Sequence, residues 1–268
     1  MSEAPRRYDW EDYLYPPSLL GLPDVLRNKA ELRWPTDLHA FEQVVTAGRA
    51  SQLQGDPGLV ERTFDADHWK AIHGHLFQDV YEWAGEFRTV DIHKGGHSFV
   101  PERDVQHYAD EILGQIRALD MFAGEDRDGV VDGLVNTMQS LNIIHPFREG
   151  NGRTQRILGQ HIAEHAGHLL DWSKIPGDEQ NLMMAAAFDG HTEPLRQALD
   201  RALRPIIRGG AVDSSPWPTE PTVPARAPDF WRLTKPAAQV LAESRAQTAQ
   251  SPADAAPAAQ LGPAGYER

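Results

Sequence analysis

The chain is 268 residues long, has no cysteine, is 40% hydrophobic and carries a formal net charge of -13. That length suffices for one sizeable domain with an appendage or for two small ones, and the missing cysteines exclude disulfides and thiolate metal sites. No apolar run approaches the ~20 residues of a membrane span, so no membrane partner is expected, and the acidic balance argues against direct nucleic-acid binding over a broad basic face. A local basic pocket for a polyphosphate remains compatible with it. The first residues, MSEAPRRYDWEDYLYPP, hold no apolar signal-peptide core, so a cytoplasmic location is expected.

In chain order, residues 1–35 read as an aromatic arm packed on the core. Asp65 is placed to cap a helix carrying Trp69, Ile72, His73, Leu76 and Phe77 on one stripe. The stretch RTVDIHKGGHSFV then alternates Val90 and Ile92 with polar neighbours, turns at Gly95-Gly96 and resumes at Phe99-Val100, a β-hairpin pattern. Helical periodicity returns with Val105, Tyr108, Ile112, Ile116 and Leu119, and again with Val131, Leu134, Val135, Met138 and Leu141. A further helix carries Ile157, Leu158, Ile162 and His165, and a last one is expected from about Asp178 to Leu203. Beyond Arg208 the chain turns rich in Pro and Ala, so 209–268 is expected to be a mostly disordered tail with one sticky island at Phe230, Trp231, Leu233, Val240 and Leu241. The expected architecture is all-α, a helical domain over 36–208 with one small hairpin.

One stretch, HPFREGNGRTQR from His145 to Arg156, interrupts the helical pattern with a proline and two glycines. Pro146 disfavours helix at His145, so the preceding helix should end there. Gly150 and Gly152 permit a tight loop whose amides point to one side, and the helix expected from about Asn151 offers its unpaired first N–H groups and its dipole to an anion. Arg153 and Arg156, three apart, share one face, and guanidinium forks suit phosphate oxygens. Glu149 beside phosphates implies a cation between them, and one carboxylate with phosphate oxygens is a common Mg²⁺ arrangement. His145 can take a proton from an attacking hydroxyl near neutral pH. Phe147 is the anchor that pins this nucleotide loop to the core. The pattern describes a nucleotide-phosphate cradle with a base at its rim.

This stretch resembles the Fic family motif, H-x-F-x-(D/E)-G-N-G-R-x-x-R, at His145, Phe147, Glu149, Gly150, Asn151, Gly152, Arg153 and Arg156. The upstream DVYEWAGEFRTVDIHKGG is similar to the segment entering the family's hairpin flap, and YLYPPSLLGLPDVLRNK to the start of many bacterial Fic toxins. The resemblance implies the Fic fold and an enzyme that transfers AMP from Mg²⁺-ATP to a Ser, Thr or Tyr hydroxyl of a target protein. It assigns His145 as the base and Glu149 as the Mg²⁺ holder between the α- and β-phosphates. Phe147, Gly150, Asn151 and Gly152 fall in its nucleotide loop, Arg153 at the β-phosphate and Arg156 at the γ-phosphate. The flap, with Val90, Asp91, Ile92, His93, Lys94, Gly95 and Gly96, would hold the target backbone by strand addition. Toxins of this appearance modify type II topoisomerases, so DNA gyrase and topoisomerase IV are the targets that the resemblance suggests.

Other readings compete. In the Doc-like branch the second loop glycine is typically lysine and the γ-phosphate is transferred; Gly152 with both arginines favours AMP transfer. HIAEH, from His161 to His165, matches a zinc-peptidase pattern, but three specified positions arise by chance far more easily than eight. Many family members also carry a built-in brake, Ser or Thr, three residues, Glu, then Gly or Asn, whose glutamate pairs with the motif's second arginine. The only Glu followed by Gly or Asn here is Glu149, preceded four residues earlier by His145. A small separate antitoxin bearing that motif is therefore the expected partner.

Overall fold

A computed structural model describes residues 7–16 and 24–206. Among them are seven α-helices and two short antiparallel strand pairs: α1 (Pro35–Gly55), α2 (Ala66–Phe77), β1 (His93–Lys94), β2 (His97–Ser98), α3 (Val105–Ala118), α4 (Arg127–Ile144), α5 (Asn151–His165), β3 (His168–Leu170), α6 (Gly177–Phe188), α7 (Glu193–Ala202) and β4 (Leu203–Pro205). The domain is predominantly helical, as its periodicity implies. No helix of the described residues is long and apolar enough to cross a membrane. The tail expected over 209–268, with its Trp231 island, lies outside the described residues.

The central element is α4, which buries Val130, Val131, Leu134, Met138, Leu141 and Ile144 on nearly every side, with α3, α5, α6 and α7 packed around it. Each such side chain contributes roughly 1.5–3 kcal/mol on leaving water. Its start is fixed by Asp126, whose carboxylate accepts the Gly129 amide at 2.8 Å. Helix α5 approaches α4 closely: a Cβ on Gly159 would stand 2.9 Å from the Met138 sulfur. Asp65 caps α2 as expected, accepting the His68 amide at 3.0 Å, and the stripe of Trp69, Ile72, His73, Leu76 and Phe77 is buried.

The aromatic arm lies on the same core. Tyr8, Trp10 and Tyr13 are buried, and the Thr89 hydroxyl donates to the Tyr8 carbonyl at 2.6 Å. The indole of Trp10 lies under the Arg148 guanidinium at 4.6 Å.

Two expectations need correction. The last helix is not continuous from Asp178 to Leu203 but breaks into α6 and α7 at Gly190, whose φ of 87° ends α6, while Pro194 opens α7 in its first turn. The hairpin is shorter than its alternation suggests, pairing only His93 with Ser98 and Lys94 with His97. Its outer backbone groups are taken elsewhere: Arg88 captures the Val90 and Val100 carbonyls, and the Val100 amide donates to the Ile143 carbonyl. The turn is as expected, with Gly95 and Gly96 both at positive φ (55° and 79°), the conformation a two-residue hairpin turn of type I′ demands. Helix α1 and the β3–β4 pair, which joins the end of α5 to the end of α7, were not evident from the sequence pattern.

Candidate active site

The loop between α4 and α5 gathers the motif residues. His145 ends α4 in the left-handed conformation, φ 46° and ψ 59°, which costs a non-glycine residue roughly 1–2 kcal/mol. That turn sends the chain off the helix axis and leaves the imidazole against Phe99 of the flap, ring centroids 3.9 Å apart. Its Nδ1 lies 3.1 Å from the Asn142 carbonyl oxygen. A carbonyl can only accept, so Nδ1 bears the proton and Nε2 is the basic nitrogen. Burial pushes the His145 pKa down to about 3; the Asn142 carbonyl opposes this, and the Arg88 and Lys94 charges add to it. The imidazole is thus neutral at neutral pH, the state a base requires.

The loop is held from three sides. Phe147 is fully buried, its ring stacked at 4.0 Å on His73 and edge-on to Trp69. Asn151 turns its side chain back on the loop, its Oδ1 accepting the Phe147 amide at 2.8 Å and its Nδ2 donating to the Phe147 carbonyl at 2.7 Å. His73 accepts the Gly85 amide at Nδ1, 2.8 Å, so its Nε2 donates to the Glu149 carbonyl at 3.1 Å. Arg88 supplies the third hold, donating from Nε to the His145 carbonyl at 2.9 Å and from Nη2 to Ile144 and Val100.

Gly150 then opens α5 at φ 83°, and a Cβ there would stand 2.3 Å from the Phe77 ring, so only glycine fits. The first closing bond of α5 runs from Thr154 to Gly150, which places the amides of Asn151, Gly152 and Arg153 ahead of it at the positive end of the helix. Gly152 is exposed on this end, with only the Arg156 guanidinium 3.3 Å from where a Cβ would stand.

The two motif arginines differ. Arg153 contacts two carboxylates from one nitrogen, Glu42 at 3.0 Å and Glu149 at 3.2 Å. Burial works against its charge, but Glu149 and Glu42 outweigh that and hold its pKa above the ordinary value. Arg156 has no carboxylate partner among the described residues, and burial with the neighbouring Arg153 charge lowers its pKa to about 10. It is a partly buried cation beside Arg153.

The structure thus brings His145, Glu149, Gly150, Gly152, Arg153 and Arg156 to one loop and helix end. The flap reaches His145 through Phe99, while Ile92 is buried beneath it and Asp91 binds the Glu102 amide. His93 bonds across the hairpin to Ser98, and Lys94, Gly95 and Gly96 are exposed at its tip. The HIAEH histidines diverge: His161 pairs with His68 across 3.0 Å, and His165 with Asp120. Three residues missed in the sequence support the site, namely Glu42, His73 and Arg88. His73 sits on the recognised apolar stripe, but nothing local marks Glu42 or Arg88.

The site is a helical domain's loop in which a histidine at a helix C-terminus lies against a hairpin and a glycine opens the next helix. The Fic/DOC family profile matches residues 63–163. The probable protein adenylyltransferase y4lH of Sinorhizobium fredii is 34% identical over 180 residues, covering 67% of this chain and 91% of that protein. The protein adenylyltransferase VbhT of Bartonella schoenbuchensis is 32% identical over 198 residues, 74% of this chain and 39% of that one. BepC of Bartonella tribocorum, solved with bound AMPPNP, shares the fold at a TM-score of 0.67 and 21% identity, covering 73% of this chain and 97% of that structure. The chain belongs to the Fic/DOC family.

Proposed function

We propose that this chain is a protein adenylyltransferase that moves AMP from ATP to a Ser, Thr or Tyr hydroxyl of a target protein. The observation that carries the reading is the pairing, within one loop, of a neutral histidine whose basic nitrogen is Nε2 with an anion cradle fed by Arg153 and Arg156. The relatives named as adenylyltransferases support it.

In the proposed step the target oxygen attacks the α-phosphorus, its proton passes to His145 Nε2, and the bond to the β-phosphate's bridging oxygen breaks to release pyrophosphate. The α5 amides and Arg153 stabilise charge on the departing phosphates, and Arg156 holds the γ-phosphate. The target backbone lies along the flap as an added strand, which sets the hydroxyl in line.

Glu149 fits a Mg²⁺ ion shared with the nucleotide. It is a carboxylate 20% exposed beside the cradle, and one carboxylate with phosphate oxygens is a common Mg²⁺ arrangement. When bound, such an ion neutralises phosphate charge. The proposed use of Mg²⁺-ATP supports a cytoplasmic location, where both are plentiful.

The absence of an acidic partner for Arg156 among the described residues supports control in trans. A small antitoxin bearing the brake motif would place its glutamate on Arg156 and occupy the γ-phosphate position, making this chain the toxin of a pair, with a type II topoisomerase such as DNA gyrase or topoisomerase IV as its target. Incubation of the chain with a bacterial lysate and ATP labelled at the α- or the γ-phosphate tests the transfer. Label should enter protein only from the α-position; label from the γ-position alone would make the chain a kinase.

A further inference from the structure

Glu42 lies on α1, outside the 63–163 segment that the family profile matches, yet it reaches the phosphate cradle. Its Oε2 accepts from Arg153 Nη2 at 3.0 Å, and its Oε1 accepts the Tyr81 hydroxyl. Thr46, one turn along α1, donates its hydroxyl to the Glu42 carbonyl at 2.7 Å and so presents a lone pair to Arg153 Nη1, 3.3 Å away. The Phe77 ring lies beneath the guanidinium, 4.7 Å from its carbon. Arg153 is therefore held by α1 on one side, by an aromatic face below, and by Glu149 on the other side.

The two carboxylates on Arg153 are not equivalent. The Glu149 side chain is 20% exposed at the rim, where a cation arriving with a nucleotide would compete for it. The Glu42 side chain is 6% exposed and is gripped at both oxygens. Burial, reinforced by the charges of Glu42 and Glu149, holds the Tyr81 phenol well above its ordinary pKa, so it stays a donor to Glu42. Among the described residues Glu149 is held at one oxygen only, its Oε1 also accepting the Gly150 amide at 2.8 Å, whereas both oxygens of Glu42 are engaged.

We propose that Glu42, clamped by Tyr81, is a positioning residue that keeps Arg153 in the phosphate cradle when Glu149 turns to a metal-bound nucleotide. The inference rests on the adenylyltransferase reading for its kinetic consequence but not for its structural one. Removing the Glu42 charge while keeping its shape frees the guanidinium to follow Glu149 or solvent. The loss then falls on the step in which charge develops on the leaving phosphates, and less on nucleotide binding.

The test uses the full chain and four variants: Glu42→Gln, Tyr81→Phe, Arg153→Ala and the double variant Glu42→Gln with Arg153→Ala. With α-labelled ATP, Glu42→Gln should lower kcat by about 30-fold while the KM for ATP moves less than about threefold, and Tyr81→Phe should act in the same direction more weakly. Added to Arg153→Ala, Glu42→Gln should cost less than about twofold more, because its effect passes through the arginine. Nitrogen NMR of the Arg153 guanidinium provides a readout independent of turnover. Hindered rotation in the wild type should become faster in Glu42→Gln, or in Tyr81→Phe if the first variant does not fold, with Glu149 then the one carboxylate left on the guanidinium. Unchanged rotation, an unchanged or raised kcat, or multiplied losses in the double variant would overturn the proposal. Absence of adenylyl transfer in the wild type with the rotation change intact would overturn the activity reading alone.

Discussion

The Nε of Arg88 donates to the main-chain oxygen of His145 at 2.9 Å, tying the root of the flap to the residue that ends α4. The same side chain serves the carbonyls of Val90, Val100 and Ile144 and is buried. The hairpin and His145 are thus set by one guanidinium.

Replacing Arg88 with Met should therefore orphan several buried carbonyls at once. Each unsatisfied group costs about 1–3 kcal/mol, so a total loss of roughly 3–5 kcal/mol is expected even after relaxation. Arg88→Lys keeps the charge but not the fork and should lie between the two. Thermal unfolding of the three proteins checks the order.

The two loop glycines should respond differently to alanine. At Gly150 a Cβ would meet the Phe77 ring at 2.3 Å in a left-handed backbone, so Gly150→Ala should destabilise by roughly 2–4 kcal/mol and abolish transfer. At Gly152 the only close neighbour is the end of the Arg156 side chain, so Gly152→Ala should change stability by less than about 0.5 kcal/mol. Its effect should appear in nucleotide affinity, measured by calorimetry.

Acid should unfold the domain partly through its buried histidines. His145, His73 and His161 have pKa values lowered to about 3 and His68 to about 4, with burial the leading cause in each. These depressed values mean that the unfolded chain binds protons first. The stability is fully present above the unfolded pKa near 6.5 and is lost as pH falls from there to about 3. Unfolding measured at pH 5 in buffers of different ionisation enthalpy should show net proton uptake, and His68→Asn should reduce it. Unfolding at pH 5 without proton uptake would contradict the burial of these rings as neutral groups.

Much of this was legible in the sequence because it is local. The cap at Asp65, the stripe from Trp69 to Phe77 and the break at His145-Pro146 each follow from residues within a turn of one another. The motif residues are contiguous, so their convergence on one helix end follows from chain geometry. What supports them is not contiguous. Glu42 reaches Arg153 across 111 positions and Arg88 reaches His145 across 57, and no periodicity encodes such pairings. The flap's alternation misled for the same reason, since Arg88 and Ile143 take backbone groups that a longer ladder would have used. The break between α6 and α7 was readable, with Gly190 and Pro194 four residues apart, but the apolar pattern on either side masks it.

His145→Ala separates chemistry from binding, because the phosphate contacts proposed for Arg153, Arg156 and the α5 amides do not involve the imidazole. That variant should bind ATP within about threefold of the wild type while losing transfer by a factor of about 10³ or more. Binding lost together with activity would point to collapse of the left-handed turn instead.

The most direct measurement is the intact mass of a labelled target, or of the chain itself after automodification, following incubation with Mg²⁺-ATP. The wild type should add the mass of one adenylyl group per modified hydroxyl, and His145→Ala should add none. Addition of a single phosphoryl mass, or equal adenylylation by His145→Ala, would contradict the account.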